Sequence, residues 1–186
     1  MTAIKTFREP STIQWGLGAA STVSSEAIQC NGTKALLVTD KNLLLSGATE
    51  PVLKSLKSDG LDPVLFDEVN TEPTLEHVEA GLELLKSQQC DVIVACGGGS
   101  PIDTAKAISV MATNPGNMAD YMGIGKLKNS GLPMIAIPTT AGTGSEVTMV
   151  TIITDTVSDV KMLVISPHLM PKAALVDPLM TLKMPR

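Results

Sequence analysis

Aromatic side chains are scarce in this sequence: Phe7, Trp15, Phe66 and Tyr121 are the only ones in 186 residues. The core must therefore be aliphatic, built from Val, Ile, Leu and Ala with ten Met as adaptable filler. Clustered basic charge is missing too. With a net charge of −5 and no Lys/Arg stripe, a nucleic-acid surface is excluded. No apolar run approaches the roughly 20 residues of a membrane span. The opening Met1-Thr-Ala-Ile-Lys-Thr-Phe-Arg8 lacks the apolar centre of a signal peptide. The two histidines, His77 and His168, share no ligand spacing. A Gly-x-Ser-x-Gly elbow and a Gly-Lys-Ser/Thr P-loop are both absent. Cys30, Cys90 and Cys96 form an odd set without metal-type spacing, as expected of reduced thiols in a cytoplasmic protein. No catalytic residue and no metal ligand is assigned within the chain.

Hydrophobic residues make up 44% and charged residues 18%, a globular composition of a length suited to one domain. Ala35-Leu-Leu-Val-Thr-Asp40 is a continuous apolar run, as in a strand buried on both faces. Apolar positions at helical spacing follow over residues 43–56, and Pro63-Val-Leu-Phe-Asp67 is the next strand. Thr74 is an N-cap for a helix with Val78, Leu82 and Leu85 on one face. Further strands are expected at 91–96, 134–138, 150–154, 161–165 and 173–177, with a hairpin turn at 155–159. The alternation of strands and helices predicts an α/β fold: a doubly wound, mainly parallel sheet with helices on both faces. His77 is expected on a helix surface and His168 in a turn.

Two glycine-bearing loops carry the functional signal. Asp91-Val-Ile-Val-Ala-Cys-Gly97-Gly98-Gly99-Ser100-Pro101-Ile102-Asp103-Thr104-Ala105-Lys106 reads as strand, turn and helix, with Pro101 at the helix's first or second position. Glycines permit positive φ and let an anion approach bare backbone, and the helix start offers unpaired N–H groups. A phosphate or pyrophosphate fits there. This is not the Gly-x-Gly-x-x-Gly fingerprint, which follows a first strand; here the loop follows the third expected one. Pro138-Thr139-Thr140-Ala141-Gly142-Thr143-Gly144-Ser145-Glu146-Val147-Thr148 would form a hydroxyl-rich lip beside it. Asp40, at a strand end, suits an adenosine ribose and would repel a 2′-phosphate, favouring NAD over NADP; capping the next helix is its other reading. Asp103 caps its turn, orients the loop or reaches a substrate, facing away from the pyrophosphate. Lys106 is expected to be solvated.

Gly97 to Lys106, Pro138 to Thr148 and Ala174-Leu-Val-Asp-Pro178 together resemble the iron-containing (group III) alcohol dehydrogenases. The opening Phe7…Pro10…Gly16-Leu-Gly18 and Val38-Thr-Asp-Lys41 fit the same family, in order along the whole chain. The resemblance implies a dehydroquinate synthase-like N-terminal dinucleotide domain, here residues 1–186, and a helical domain beyond Pro185 and Arg186. That second domain would hold Fe²⁺ on an Asp and three His, none of them in this chain, together with most of the substrate cleft. Carried over, Asp40 meets the adenosine ribose, and Gly97, Gly98, Gly99 and Ser100 form the pyrophosphate turn, with Asp103 in the same motif. Thr139, Thr140, Thr143 and Thr148 form the lip near the nicotinamide, Lys161 reaches the nicotinamide ribose, and Leu179 packs on the nucleoside. Glu72 departs from a small polar residue that many relatives carry near the adenine.

The implied activity is hydride transfer between NAD(H) and a small alcohol or aldehyde, with the metal as Lewis acid, in a homo-oligomer, commonly a dimer. The 186 residues alone would then be inactive. Glycerol dehydrogenase, dehydroquinate synthase and glycerol-1-phosphate dehydrogenase share the architecture but match the 138–148 loop less well. A stand-alone, non-catalytic nucleotide-binding module is the reading from another class. Exposed apolar surface separates the two, since only a domain that packs on another should carry much of it.

Overall fold

Leu36, Val38, Ile93, Ala95, Met134 and Ala136 pack into one apolar cluster, whereas Leu37, Val92, Val94, Ile135 and Ile137 pack into another. Successive residues of a strand point to opposite faces, so this division marks a sheet covered on both sides. A computed structural model of the chain describes residues 4–182; the expected boundary at Pro185 and Arg186 lies outside the described residues. Six strands form the main sheet: β1 (Thr12–Trp15), β2 (Ala35–Val38), β3 (Val64–Phe66), β4 (Val92–Gly97), β6 (Met134–Pro138) and β9 (Ala173–Val176). Their order is β1-β9-β6-β4-β2-β3, and every pair is parallel. The register places Leu36 beside Ile93 and Ile93 beside Met134, which keeps each face's residues in one layer. The helices are α1 (Val23–Gln29), α2 (Lys41–Leu45), α3 (Glu50–Ser58), α4 (Leu75–Ser87) and α5 (Gly99–Met111). Residues of α1 and α3 join the second cluster, and those of α4 and α5 the first.

A smaller sheet holds β5 (Gly123–Ile124), β8 (Val160–Ile165) and β7 (Val150–Asp155). β7 and β8 form the expected antiparallel hairpin, and its turn includes Asp159 at φ 54°. The hairpin is fastened to the start of α4, where Thr154 N–H donates to the Pro73 carbonyl at 2.8 Å. There Thr74 caps α4 as expected: its hydroxyl accepts from His77 N–H at 3.3 Å and His77 Nδ1 accepts from Thr74 N–H at 3.2 Å. His77 is thus half-buried in a capping box rather than a plain surface residue. His168 falls in the short turn Pro167–Leu169.

Three expectations need correction. The helix over 43–56 is two helices. Gly47, at φ 70°, ends α2, its N–H bonding Leu44 O and Ala48 N–H bonding Leu43 O, a Schellman closure that turns the chain before Glu50 starts α3, with Pro51 in its first turn. β1 and β5 were not expected, being a short edge strand and a two-residue strand without an apolar run. Helix α5 begins at Gly99, so Pro101 is its third residue, still within the first turn where no intrahelical donor is lost.

Candidate nucleotide-binding cleft

The chain leaves β2 toward β3 at one edge, then returns to β4 on the other side of β2 and proceeds to β6. The carboxyl ends of β2 and β4 therefore flank a switch point, where open α/β sheets bind their ligands. A cleft of about 650 Å³ lies there, lined by Asp40 after β2, Asn70 and Thr71 after β3, Gly98, Gly99 and Ser100 after β4, and Thr139 and Thr140 after β6. Although the glycine loop follows the fourth strand in sequence, it is central in the sheet.

None of Gly97, Gly98 and Gly99 has positive φ; Gly98 sits at φ −74°. Conformational freedom is not what requires them, contrary to expectation. Space is. A Cβ on Gly97 would come 2.5 Å from Pro101 Cγ, one on Gly98 3.3 Å from Thr140 Oγ1, and one on Gly99 3.2 Å from Thr143 Cγ2. The first clash is internal to the turn; the other two keep open the gap between the glycine turn and the threonine loop. No side chain caps α5, so the Gly99 and Ser100 amides and the positive helix end face the cleft unclaimed. Asp40 is the one charged group among the described lining residues, so a bound phosphate would be met by amides and hydroxyls rather than by cations.

Asp40 takes its capping reading and also borders the cleft. Its Oδ1 accepts from Leu43 N–H at 3.0 Å and caps α2, while the residue lines the cleft. Cys96, two residues before Gly98, is buried, and burial first and the Asp40 charge second push its thiol up to about 12, so it is no nucleophile at neutral pH. Thr143 packs beside Gly99, and Thr148 lies further along the same loop, outside the cleft lining. Lys161 is on the hairpin, its Nζ 2.7 Å from Glu72 Oε1 in an exposed ion pair next to the Asn70–Thr71 wall. Leu179 lines a neighbouring hollow of about 750 Å³ against α1 and α3, and Met180 borders both spaces. That hollow is larger, but its Ser24, Ser55 and Asp59 side chains already satisfy one another.

Asp103 does not line the cleft. Its Oδ2 accepts from Ile152 N–H at 3.1 Å and its carbonyl from the Thr151 hydroxyl at 2.8 Å, which ties α5 to β7. Burial pushes its carboxyl upward, against the opposing charge of Lys106 and the hydrogen bonds it accepts. Lys106 is the clearest reversal. Expected in solvent, it is fully buried, and its Nζ donates to Thr148 O, Thr148 Oγ1 and Val150 O at 2.8, 3.1 and 2.8 Å. Asn70 and Thr71 went unnoticed in the sequence because only the sheet order brings the end of β3 beside β2. Their Asn-Thr pair in the loop a few residues after β3 was the available signal.

A doubly wound parallel sheet with a cleft at its switch point places the chain in the α/β class whose ligands sit at strand carboxyl ends. The sequence model of the iron-containing alcohol dehydrogenases matches residues 10–178, and the chain belongs to that family. It is 41% identical over 170 residues to the NAD-dependent methanol dehydrogenase of Bacillus methanolicus, covering 91% of this chain and 45% of that protein. Over 178 residues it is 40% identical to the 1,3-propanediol dehydrogenase of Citrobacter freundii, covering 95% of this chain and 46% of that one. Among solved structures, a 1,3-propanediol oxidoreductase superposes with a TM-score of 0.96 at 38% identity, over 98% of this chain and 48% of that chain. The sulfoacetaldehyde reductase of Bifidobacterium kashiwanohense, solved with NAD⁺, gives 0.89 at 33% identity, over 99% and 49%. The chain spans about half the length of the curated relatives it matches.

Proposed function

We propose that residues 1–186 form the cofactor-holding domain of a dehydrogenase that passes hydride between NAD(H) and a small alcohol or aldehyde. The observation that carries this reading is the cradle itself: Gly98 and Gly99 held open against Thr140 and Thr143 at the uncapped start of α5. A pyrophosphate fits that space, with the Gly99 and Ser100 amides donating to it and Gly97 setting the turn. Asp40, which lines the cleft, accepts from an adenosine ribose and disfavours a 2′-phosphate, hence NAD rather than NADP. Thr139, Thr140, Thr143 and Thr148 supply hydroxyls along the nicotinamide half. Lys161 reaches the nicotinamide ribose by leaving Glu72, and Leu179 packs on the nucleoside from the adjoining hollow. Asp103 holds the loop from behind. NAD⁺ supplies the hydride acceptor; the chain's residues bind it and fix which face meets the alcohol.

Iron, the metal in the family's description, finds no ligand set here: no group of three or more His, Cys, Asp or Glu converges among the described residues. We therefore assign the metal ligands and the alcohol-binding groups to a helical domain outside residues 1–186, and expect these residues alone to turn over no alcohol. A cytoplasmic homo-oligomer, most simply a dimer, is the setting that goes with this assignment. NADH fluorescence tests the cradle. The unaltered chain should give a saturable change on titration, and Gly98→Val, which fills the gap beside Thr140, should abolish it while the chain stays folded by circular dichroism. Equal binding by both proteins would contradict the reading.

A further inference from the structure

Lys106 lies on α5 beneath the nucleotide cleft, fully buried, and the role assigned to the cleft makes no use of it. Burying an ammonium is costly unless its protons are all placed. Here all three are. They go to Thr148 O, Thr148 Oγ1 and Val150 O, at the point where the threonine loop descends into β7. Among the described residues no carboxylate bonds Nζ directly. Asp103, one helical turn earlier, binds the next two residues of the same strand through Thr151 Oγ1 and Ile152 N–H. One face of α5 therefore grips four of the five residues from 148 to 152, 148 with 150 through Lys106 and 151 with 152 through Asp103. An apolar side chain would fill the space at lower desolvation cost; only a three-pronged donor can fix two backbone carbonyls and a hydroxyl together.

Helix α5 presents the pyrophosphate turn at its N-terminus, and the loop carries Thr139, Thr140, Thr143 and Thr148. We infer that Lys106 is a positioning residue: it locks the threonine loop to the pyrophosphate helix, so that the nicotinamide half of a dinucleotide finds its hydroxyl partners at a fixed distance from the phosphates. The inference rests on the proposed NAD-binding reading of the cleft. Two carboxylates act on Nζ electrostatically, Asp103 on its own helix and Glu146 on the turn Ser145–Val147, while β7 presents to it only the Val150 carbonyl. Burial outweighs both carboxylates and lowers the ammonium's pKa to about 8.

The test separates the two halves of the dinucleotide. ADP engages Asp40 and the glycine turn alone; NAD⁺ needs the threonine loop as well. In calorimetric titrations Lys106→Met should weaken NAD⁺ by about tenfold or more and leave ADP within about twofold. A merely structural lesion would move both ligands together. Should the variant fail to fold, the unaltered chain answers the same question. NAD⁺ affinity should fall relative to ADP as the pH rises from about 7 to about 10, bracketing the lysine's value of about 8. Unchanged NAD⁺ binding in the variant, or parallel behaviour of the two ligands in either experiment, overturns the inference and leaves the cleft reading standing. Failure of the unaltered chain to bind either ligand overturns the cleft reading and this inference with it.

Discussion

Asp40 caps α2 and lines the cleft, and under the proposed reading of that cleft the two consequences separate on mutation. Asp40→Ala should cost about 1 kcal/mol of stability through the lost cap on α2. It should also raise NADP⁺ affinity relative to NAD⁺ by about tenfold, because the charge that repels a 2′-phosphate is gone. Denaturant melts and paired titrations check the two effects independently. Gly97→Ala is a different case: its new Cβ meets Pro101 Cγ, a rigid ring, at 2.5 Å. The expected penalty is about 1–3 kcal/mol, read as a lower denaturation midpoint at unchanged slope. Lys106 also writes itself into the pH dependence of stability. Its pKa is about 8 in the fold and near the ordinary 10.4 when unfolded, so between these values the unfolded chain holds a proton that the folded chain has released. Stability contributed by this group therefore rises with pH across that window. Lys106→Met should remove that rise, seen as a flatter stability profile in melts run from neutral to alkaline pH. The three-glycine turn could be read from the sequence, but its cause could not. Crowding by Thr140 and Thr143 exists only once two loops and a helix have been brought together.

At the scale of elements, local chemistry was legible where one residue decides. Thr74 announced the start of α4, and the structure adds His77 as its reciprocal partner. Thr74→Ala should therefore cost about 1 kcal/mol and fray the first turn of α4, visible as faster amide exchange there. The hairpin of β7 and β8 was equally plain, being two apolar runs around a polar turn. What stayed hidden was decided by neighbours. Residues 43–56 keep helical periodicity through Gly47, and only the Schellman closure at Leu43 and Leu44 shows that the chain turns. Thr-Ile-Gln-Trp is too short and mixed to read as a strand; it becomes β1 because β9 offers an edge to pair with.

For the whole molecule, the doubly wound parallel sheet was readable from continuous apolar runs alternating with helical ones, and the division of their residues into two clusters is the physical counterpart of that pattern. The cleft was half readable. Asp40 and the two loops announced themselves by composition, whereas Asn70, Thr71 and Lys106 depend on strand order and burial, which no local window contains. The surface supports a further expectation. Trp15, Leu17 and Leu182 are 80%, 77% and 74% exposed, and Phe7 and Ile4 lie bare along the N-terminal stretch. Apolar groups of this size so exposed favour association, so light scattering should find these 186 residues as oligomers or aggregates rather than clean monomers.

On the proposed reading, residues 1–186 hold a complete dinucleotide cradle that owes nothing to a metal. Calorimetric titration with NAD⁺ and with NADP⁺, each with and without added Fe²⁺ or Zn²⁺, tests it most directly. One NAD⁺ site per chain, weaker NADP⁺ and heats indifferent to metal are the expected result. Binding of neither nucleotide, or NAD⁺ binding that appears only when metal is added, would contradict it.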